Sequence, residues 1–244
     1  MRKLGLLGGM SWESSLIYYK GINEAIRDSH KGSLTSADLI LYSFNFQDIV
    51  DLQKANEWAI AEKRLSEAAS GLTSLGAEAI IICTNTMHLV APQISDRLSV
   101  PLIHIIDETA KAILAQGFKN PLLLATSYTM EHGFYTDHMA QLGLNIILPS
   151  VEDRQLVHSI IFEELCLGQI KPSSRRHLQV MIAEAKKKGA DCVILGCTEI
   201  GLILNNDTCP LACFDSTHIH IKAAVDFMLG QTTSAQEALS SSAA

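Results

Sequence analysis

A short motif occurs twice in this chain, each time at the end of an apolar run. The first copy is Ile81-Ile82-Cys83-Thr84 and the second is Leu195-Gly196-Cys197-Thr198. Both runs are preceded by a Gly-Ala pair and are rich in aliphatic residues, which is typical of a parallel strand covered on both faces. Residues that follow the carboxyl ends of such strands lie where α/β proteins bind ligands. The motif therefore predicts two strand ends, each carrying a thiol, at a ligand site.

The surroundings of the two motifs repeat as well. Cys83 and Cys197 lie 114 residues apart, and the Gly-Ala pairs before them, at positions 76 and 189, lie 113 apart. Asp107 and Asp215 each follow a segment that begins with Pro-Leu, and they lie 108 apart. Three matches in the same order at nearly one spacing indicate an internal duplication, which would bring the two Cys-Thr turns to opposite sides of one cleft.

Strand-like and helix-like segments alternate along both halves. This alternation predicts an α/β fold with two pseudo-symmetric subdomains, each with a central parallel sheet flanked by helices, and a cleft between them. We expect one subdomain to comprise residues 1–110 plus 210–230 and the other residues 111–209, with a flexible tail at 231–244. The predicted strands are 3–7, 37–44, 78–83 and 101–105 in the first half, and 121–125, 145–148, 191–196 and 210–214 in the second.

Composition excludes several classes of protein. With 48% hydrophobic and 18% charged residues the chain is typical of a globular protein, and a formal charge of -7 argues against a nucleic-acid partner. No apolar run approaches the length of about 18 residues that a membrane helix needs, and the N-terminus is too short for a signal peptide. We therefore expect a cytoplasmic protein without membrane contact, whose six cysteines are reduced thiols.

Other site chemistries lack their sequence patterns. His88 follows Cys83 by five residues, but the cysteines are scattered over separate strands without a C-x-x-C pair, so we predict no metal site. Gly8-Gly9 matches neither common nucleotide-binding pattern, and no G-x-S-x-G elbow is present. Cys192, Cys209 and Cys213 lie in strand-like runs and Cys166 in a helical run, which favours buried packing roles for these four.

Four segments together resemble the aspartate/glutamate racemase family, and its aspartate racemase and broad-specificity amino-acid racemase branch in particular. They are Gly5–Ser14, Cys83–His88, Thr129–Glu131 and Gly196–Glu199. The resemblance spans about residues 2 to 230 and implies an amino-acid racemase without a cofactor, built from two similar α/β subdomains and usually a homodimer. By position, Cys83 and Cys197 would be the two catalytic cysteines. Thr84, Asn85 and Thr198 would hold the substrate carboxylate, although the same side chains could cap the following helices.

The chemistry of two opposed thiols fits racemisation. One thiolate removes the proton from Cα while the thiol on the opposite face returns one, and the roles reverse for the other enantiomer. A free thiol ionises at about pH 8.5, so the backbone N–H groups and helix starts after the two strands would have to favour the thiolate. The same donors can stabilise the charge that moves onto the carboxylate, since we expect no cofactor to act as an electron sink.

Five further residues are predicted to contribute to the site. Met10 and Ser11 follow the first strand, and Ser11 stands where the related branch carries an acidic residue. Thr126 occupies the equivalent turn of the second half. Gln53 is a candidate contact for the substrate side chain. Glu199 follows the second Cys-Thr, where glutamate racemases carry His, and either assists Cys197 or is a solvated residue at a helix start.

The identity of the amino acid is less constrained. The segment 163–168 contains no Lys where aspartate-specific relatives tend to have one, which favours a broader or less acidic substrate. Maleate isomerase, hydantoin racemase or arylmalonate decarboxylase chemistry remain alternatives, and decarboxylation needs only one thiol. A non-catalytic two-lobed amino-acid-binding protein is the alternative outside enzymology, although it would not need thiols.

Overall fold

Two three-stranded parallel sheets form the framework of the protein, for which a computed structural model describes residues 1–231. In the first sheet the strand order is β2-β1-β3, and in the second it is β4-β5-β6. The strands are β1 (Leu4–Gly8), β2 (Leu39–Ser43), β3 (Ala79–Ile82), β4 (Pro121–Leu124), β5 (Cys192–Leu195) and β6 (Ala212–Asp215). This architecture confirms the predicted α/β fold with a parallel sheet in each half.

Ten α-helices connect and cover the strands within residues 1–231. They are α1 (Trp12–Ser29), α2 (Phe46–Lys54), α3 (Trp58–Ser74), α4 (Ala91–Ser95), α5 (Ile105–Ala115), α6 (Ser127–Glu131), α7 (Phe134–Gln141), α8 (Val151–Ser159), α9 (Pro172–Lys187) and α10 (Ser216–Met228). Short 3-10 turns span Thr86–Val90, Leu165–Leu167 and Ile200–Leu202, and a π-helical turn spans Ile160–Glu164. The helical segment from Val151 to Leu167 is therefore not one regular helix, because α8 ends at Ser159 and the two irregular turns follow it.

The two sheets have equivalent topologies. A single backbone bridge joins Leu102 to Ile80 beside β3, and another joins Ile147 to Leu122 beside β4. Each sheet thus has a fourth segment beside its three strands. With these segments included, β3 has the same position in the first sheet as β5 has in the second. The strands predicted at 101–105 and 145–148 are reduced to these bridges. In the first case the reason is that α5 already begins at Ile105.

The strand at 212–215 corrects one predicted boundary. Residues 210–230 were expected to belong with the first half, but β6 pairs with β5 in the second sheet. Only α10, which follows β6 directly, packs against α1 of the first half, and it also packs against α5. The other subdomain boundaries stay predictions. Beyond residue 231, the predicted tail lies outside the described residues.

The central strands are buried on both faces, as their apolar sequences predict. Every residue of β1, β3, β4 and β5 is buried, because helices cover both sides of each sheet. β2 lies at the edge of the first sheet and is the most exposed strand. No helix within the described residues is long and apolar enough to span a membrane.

The turn after β1 depends on glycine. Gly9 has φ = 81°, and a Cβ at this position would overlap the backbone of Phe44. Because only glycine combines a positive φ with this close approach at little cost, Gly9 lets the chain turn sharply into Met10 and Ser11. Ser11 then caps α1, since its side chain accepts a hydrogen bond from the Ser14 N–H.

Candidate active site

A cavity of about 50 Å³ lies where the carboxyl ends of strands from both sheets meet. The loops after β1, β3, β4 and β5 all contribute to its lining, which is the location expected for a ligand site in a parallel α/β protein. The lining residues are Met10, Ser11, Ser14, Phe46, Gln53, Thr84, Asn85, Thr86, Thr126, Tyr128, Ile161, Phe162, Cys166, Gly196, Cys197, Thr198 and Glu199.

Most of the residues predicted from the sequence line this cavity, but Cys83 does not. The predicted residues in the lining are Met10, Ser11, Gln53, Thr84, Asn85, Thr126, Cys197, Thr198 and Glu199. Cys83 is only 1% exposed and belongs to an apolar cluster that includes Leu6, Tyr18 and Ile81. Burial raises the pKa of its thiol. Cys83 therefore lies directly before the lining residue Thr84 in the chain, but its side chain is covered.

Cys197 is coupled to the Glu199 carboxylate. The Cys197 thiol donates to Glu199 Oε2 at 2.9 Å, and the Thr198 hydroxyl donates to the same oxygen at 2.5 Å. Burial, and then the negative charge of Glu199, raise the pKa of Cys197 well above its ordinary value. Cys197 is consequently held as a thiol, with a carboxylate beside it that can accept its proton.

Hydroxyl donors and a helix start support the buried Glu199, which is only 6% exposed. Ser11 Oγ donates to Glu199 Oε1 at 3.3 Å, and Ser14 Oγ lies 2.5 Å from Thr198 Oγ1. Because the Thr198 hydrogen goes to Glu199, Ser14 is the donor in its pair with Thr198. Ser11 and Ser14 both lie at the start of α1, where the helix dipole stabilises negative charge. These bonds join the first half of the chain to the second.

The orientation of the Asn85 amide follows from its neighbour Ser216. The Ser216 hydroxyl donates to Leu195 O at 2.9 Å. The Ser216 oxygen can therefore only accept from Asn85, and the Asn85 atom that donates to it, at 3.1 Å, is Nδ2. Asn85 Oδ1 is buried and has no hydrogen-bond partner among the described residues. An unsatisfied buried acceptor in a cavity lining is suited to a ligand N–H group.

Three threonine hydroxyls form a second bridge between the halves. Thr86 Oγ1 lies 3.3 Å from Thr126 Oγ1 and 3.1 Å from Thr129 Oγ1, and the latter two are 3.2 Å apart. Thr126 also caps α6, because its hydroxyl accepts from the Thr129 N–H. Capping and cavity lining therefore coexist at Thr126, and its hydroxyl is one of several at the cavity that could donate to a carboxylate.

His88 holds the loop that follows Cys83. Its Nδ1 donates to Thr84 O at 2.8 Å, and its Nε2 accepts from the Ile105 N–H at 3.3 Å. Burial lowers the pKa of His88 well below its ordinary value, so the ring is neutral, as this pair of bonds requires. His88 thus links the loop with Thr84 to the start of α5.

One cluster of groups of the type that bind metals lies outside the cavity. Ligating atoms of His104, Asp107 and His138 all lie within 4.8 Å of one another. However, His104 Nδ1 accepts from the Ile106 N–H, which leaves the proton on Nε2, and His138 Nε2 is paired with Asp107 at 2.6 Å. All three groups therefore already take part in hydrogen bonds, and we assign no metal to this cluster.

Sequence reasoning missed the helical side of the cavity. Phe46 and Tyr128 come from α2 and α6, whereas Ile161, Phe162 and Cys166 come from the irregular turns after α8. An isolated Phe or Ile on an amphipathic helix carries no sign that it lines a site. Cys166, for which we predicted a buried packing role, is only partly buried and lines the cavity from the 3-10 turn that follows the π-helical turn. Ser14 did carry a signal, since it follows the cap Ser11 by three residues.

Comparison with known proteins places the chain among racemases. Its sequence matches the Asp/Glu/Hydantoin racemase family over residues 7–224. A candidate Asp/Glu racemase from Yersinia pestis is 45% identical, with a TM-score of 0.88 over 94% of this chain and 100% of that one. An aspartate racemase homologue from Pyrococcus horikoshii OT3 is 34% identical, with a TM-score of 0.83 and the same coverages.

A curated relative is more distant in sequence. The broad-specificity amino-acid racemase RacX of Bacillus subtilis is 27% identical over 172 residues, which are 69% of this chain and 72% of that protein. The match to the family covers nearly all of the two sheets and all of the cavity loops, from the residues after β1 to those after β5. The chain therefore belongs to the Asp/Glu/Hydantoin racemase family.

Proposed function

We propose that the protein is an amino-acid racemase that works without a cofactor, acting on aspartate, glutamate or a broader set of amino acids. The observation that carries this proposal is the pairing of Cys197 with the buried Glu199 in a cavity lined by hydroxyl groups from both halves. A thiol beside a proton acceptor can exchange a proton with Cα, and the surrounding donors can stabilise the charge that develops on the substrate carboxylate. Family membership supports the same reaction class.

The polar side of the cavity suggests how an amino acid would be held. The α-carboxylate would receive hydrogen bonds from the hydroxyls of Thr84, Thr86 and Thr126 or from nearby backbone N–H groups. The α-ammonium would donate to Asn85 Oδ1, the buried acceptor without a protein partner. With its α-carboxylate and its α-ammonium both held, the amino acid would have its Cα beside the thiol of Cys197.

Two protons must move on opposite faces of Cα. On one face Cys197 would give its proton to Cα or, after passing that proton to Glu199, act as the thiolate base. Cys83 would serve the other face, as its equivalent position at the end of β3 suggests. Because the Cys83 side chain is covered, we expect the loop with Thr84 and Asn85 to move when an amino acid binds.

Separate replacement of the two thiols tests this mechanism. In Cys197→Ser and in Cys83→Ser we expect racemisation to fall by about 10²-fold or more, because a serine hydroxyl is a far weaker acid than a thiol. The measurement is deuterium incorporation at Cα from heavy water together with chiral analysis of the product. Cys192→Ser, at a buried cysteine outside the cavity, is the control. Full racemisation by either active-site variant would contradict the assignment.

A reaction with one thiol is the second candidate, because only Cys197 of the predicted pair lines the cavity. A decarboxylase of the kind that acts on arylmalonates protonates a single face and needs one thiol. In that case Cys83→Ser would remain active, Cys197→Ser would not, and a substituted malonate would lose carbon dioxide. The same two variants therefore separate the two candidates.

Assembly, location and subdomain boundaries stay predictions from the sequence. The homodimer has one supporting feature, an exposed apolar stripe on α1 formed by Trp12, Leu16 and Tyr19, which are 63%, 54% and 48% exposed. The mass of the particle in solution tests it. The predicted cytoplasmic location and the division near residue 110 carry no comparable structural observation.

A further inference from the structure

The helical side of the cavity is mostly apolar and carries no charged side chain. Phe46, Tyr128, Ile161 and Phe162 line it, and no Lys or Arg is among the lining residues of the described chain. The strand-end loops, by contrast, supply most of the hydroxyl groups and the Asn85 amide, to which α2 adds the amide of Gln53. A bound amino acid whose α-carboxylate and α-ammonium occupy the polar side must therefore direct its side chain toward the helical side.

The basic residues closest in sequence to this side are committed elsewhere. Lys171, after the π-helical turn, lies 3.3 Å from Glu164, and Arg154 of α8 lies 3.9 Å from Glu131. Lys54 follows the lining residue Gln53 but is exposed to solvent. None of these cations lines the cavity, so none is positioned to neutralise a carboxylate on the substrate side chain.

The other charges near the cavity are negative. Glu199 is buried in the lining, and the start of α1 already stabilises it. Phe46 opens α2, but the side chain of Asn45 caps that helix and Asp48 lies in its first turn. The starts of α1 and α2 therefore already serve protein groups, and the short α6 is capped by the Thr126 hydroxyl.

We propose that this site selects amino acids with uncharged side chains over aspartate and glutamate. The inference rests on the proposed racemase function and specifies its substrate class. A side-chain carboxylate would be buried against aromatic and aliphatic groups without a cation and near a second carboxylate, which is strongly unfavourable. The corresponding amide has the same shape and carries no charge, so it avoids this cost.

Matched pairs of substrates test the proposal. For the wild type, kcat/KM for deuterium exchange at Cα should be about tenfold or more higher for asparagine than for aspartate, and for glutamine than for glutamate. Alanine and serine serve as small uncharged references. Exchange with aspartate or glutamate at rates equal to or above those of their amides would overturn the selectivity while leaving the racemase proposal intact. The absence of exchange with every amino acid would instead overturn the racemase proposal.

A charge placed in the lining provides the reciprocal test. Gln53→Lys adds a cation, and Gln53→Met is its uncharged control of similar length. We expect kcat/KM for glutamate relative to glutamine to be about tenfold higher in Gln53→Lys than in Gln53→Met, which removes the same amide without adding a charge. If Gln53→Lys does not fold, Phe162→Lys provides the same test, because it places a cation in the lining from the π-helical turn after α8. An unchanged ratio in a folded lysine variant would contradict the proposed role of the uncharged lining.

Discussion

At the scale of single residues, Glu199 adds its negative charge to the effect of burial on the Cys197 thiol. Its carboxylate lies one residue beyond Thr198 and accepts from both Cys197 and Thr198. Negative charge next to a buried thiol disfavours the thiolate, yet the same oxygen offers a place for the departing proton. Glu199 therefore makes Cys197 a weaker acid and, in the proposed mechanism, would accept its proton.

Replacing this carboxylate separates the two effects. In Glu199→Gln the pKa of Cys197 should fall, because a negative charge beside the thiol is lost, but it should stay above the ordinary value, since burial is the larger cause. We expect Cys197 to react faster with iodoacetamide at pH 8, by about threefold or more, while racemisation slows. Mass spectrometry of the Cys197 peptide measures the alkylation, with Glu131→Gln as the control. Slower alkylation of Glu199→Gln would contradict this account.

At the scale of elements, buried histidines fasten the segment that leads into α5. His88 bonds to the Ile105 N–H, and His220 Nε2 donates to Ile103 O at 2.8 Å while its Nδ1 accepts from Tyr18. Burial lowers the pKa of both rings, to about 4 for His220. The hydrogen bonds of these neutral rings take the place of backbone hydrogen bonds that the predicted strand at 101–105 would have made. The segment is therefore held beside β3 with a single backbone bridge.

The free energy of unfolding should therefore fall in mild acid. Unfolded histidine takes up a proton below about pH 6.5, whereas His220 stays neutral until about pH 4 in the folded protein. The stabilisation is thus present above pH 6.5 and is lost as the pH falls, by about 2 kcal/mol per such histidine between pH 6.5 and 5. Urea unfolding at a series of pH values measures it. In His220→Gln the free energy of unfolding should depend less steeply on pH than in the wild type. The exposed control His30→Gln should keep the wild-type dependence.

At the scale of the whole molecule, the two halves are joined by hydroxyl bonds at the cavity and by the packing of α10. Helix α10 follows β6 of the second sheet but packs against α1 of the first half. A Cβ on Gly21 of α1 would lie only 3.0 Å from Ile221 Cδ1, so the two helices approach closely at this glycine. We infer that the halves unfold together.

Truncation at this helix contact tests the coupling. Ile221→Ala should lower the free energy of unfolding by about 2–5 kcal/mol, because it opens a cavity at a residue that is 6% exposed. Hydrogen exchange should accelerate in β1, whose Leu4 and Leu6 share an apolar cluster with Ile221, and to the same extent in β4 of the other sheet. Leu34→Ala, at a fully exposed residue, is the control. Acceleration confined to one sheet would show that the halves unfold independently.

The internal repeat made much of this fold predictable from the sequence. Burial on both faces requires a continuous apolar run, so β1, β3, β4 and β5 were recognisable from composition alone. The glycine and polar residues that must follow such strands then located most of the cavity loops. The segment around Leu102 forms only one bridge and is shorter than the predicted strand, because an apolar run does not reveal how many of its residues pair with a neighbouring strand.

The sequence by itself determined the two parallel sheets, their equivalent strand ends and the polar loops that line the cavity, because these follow from local periodicity and turn chemistry. Only the tertiary structure decided which side chains face that cavity. It covered Cys83, brought Cys166 and an aromatic wall to the opposite side, and placed β6 in the second sheet. The direction of a side chain at a strand end depends on how layers pack against one another, and such long-range contacts leave no periodic trace in the chain.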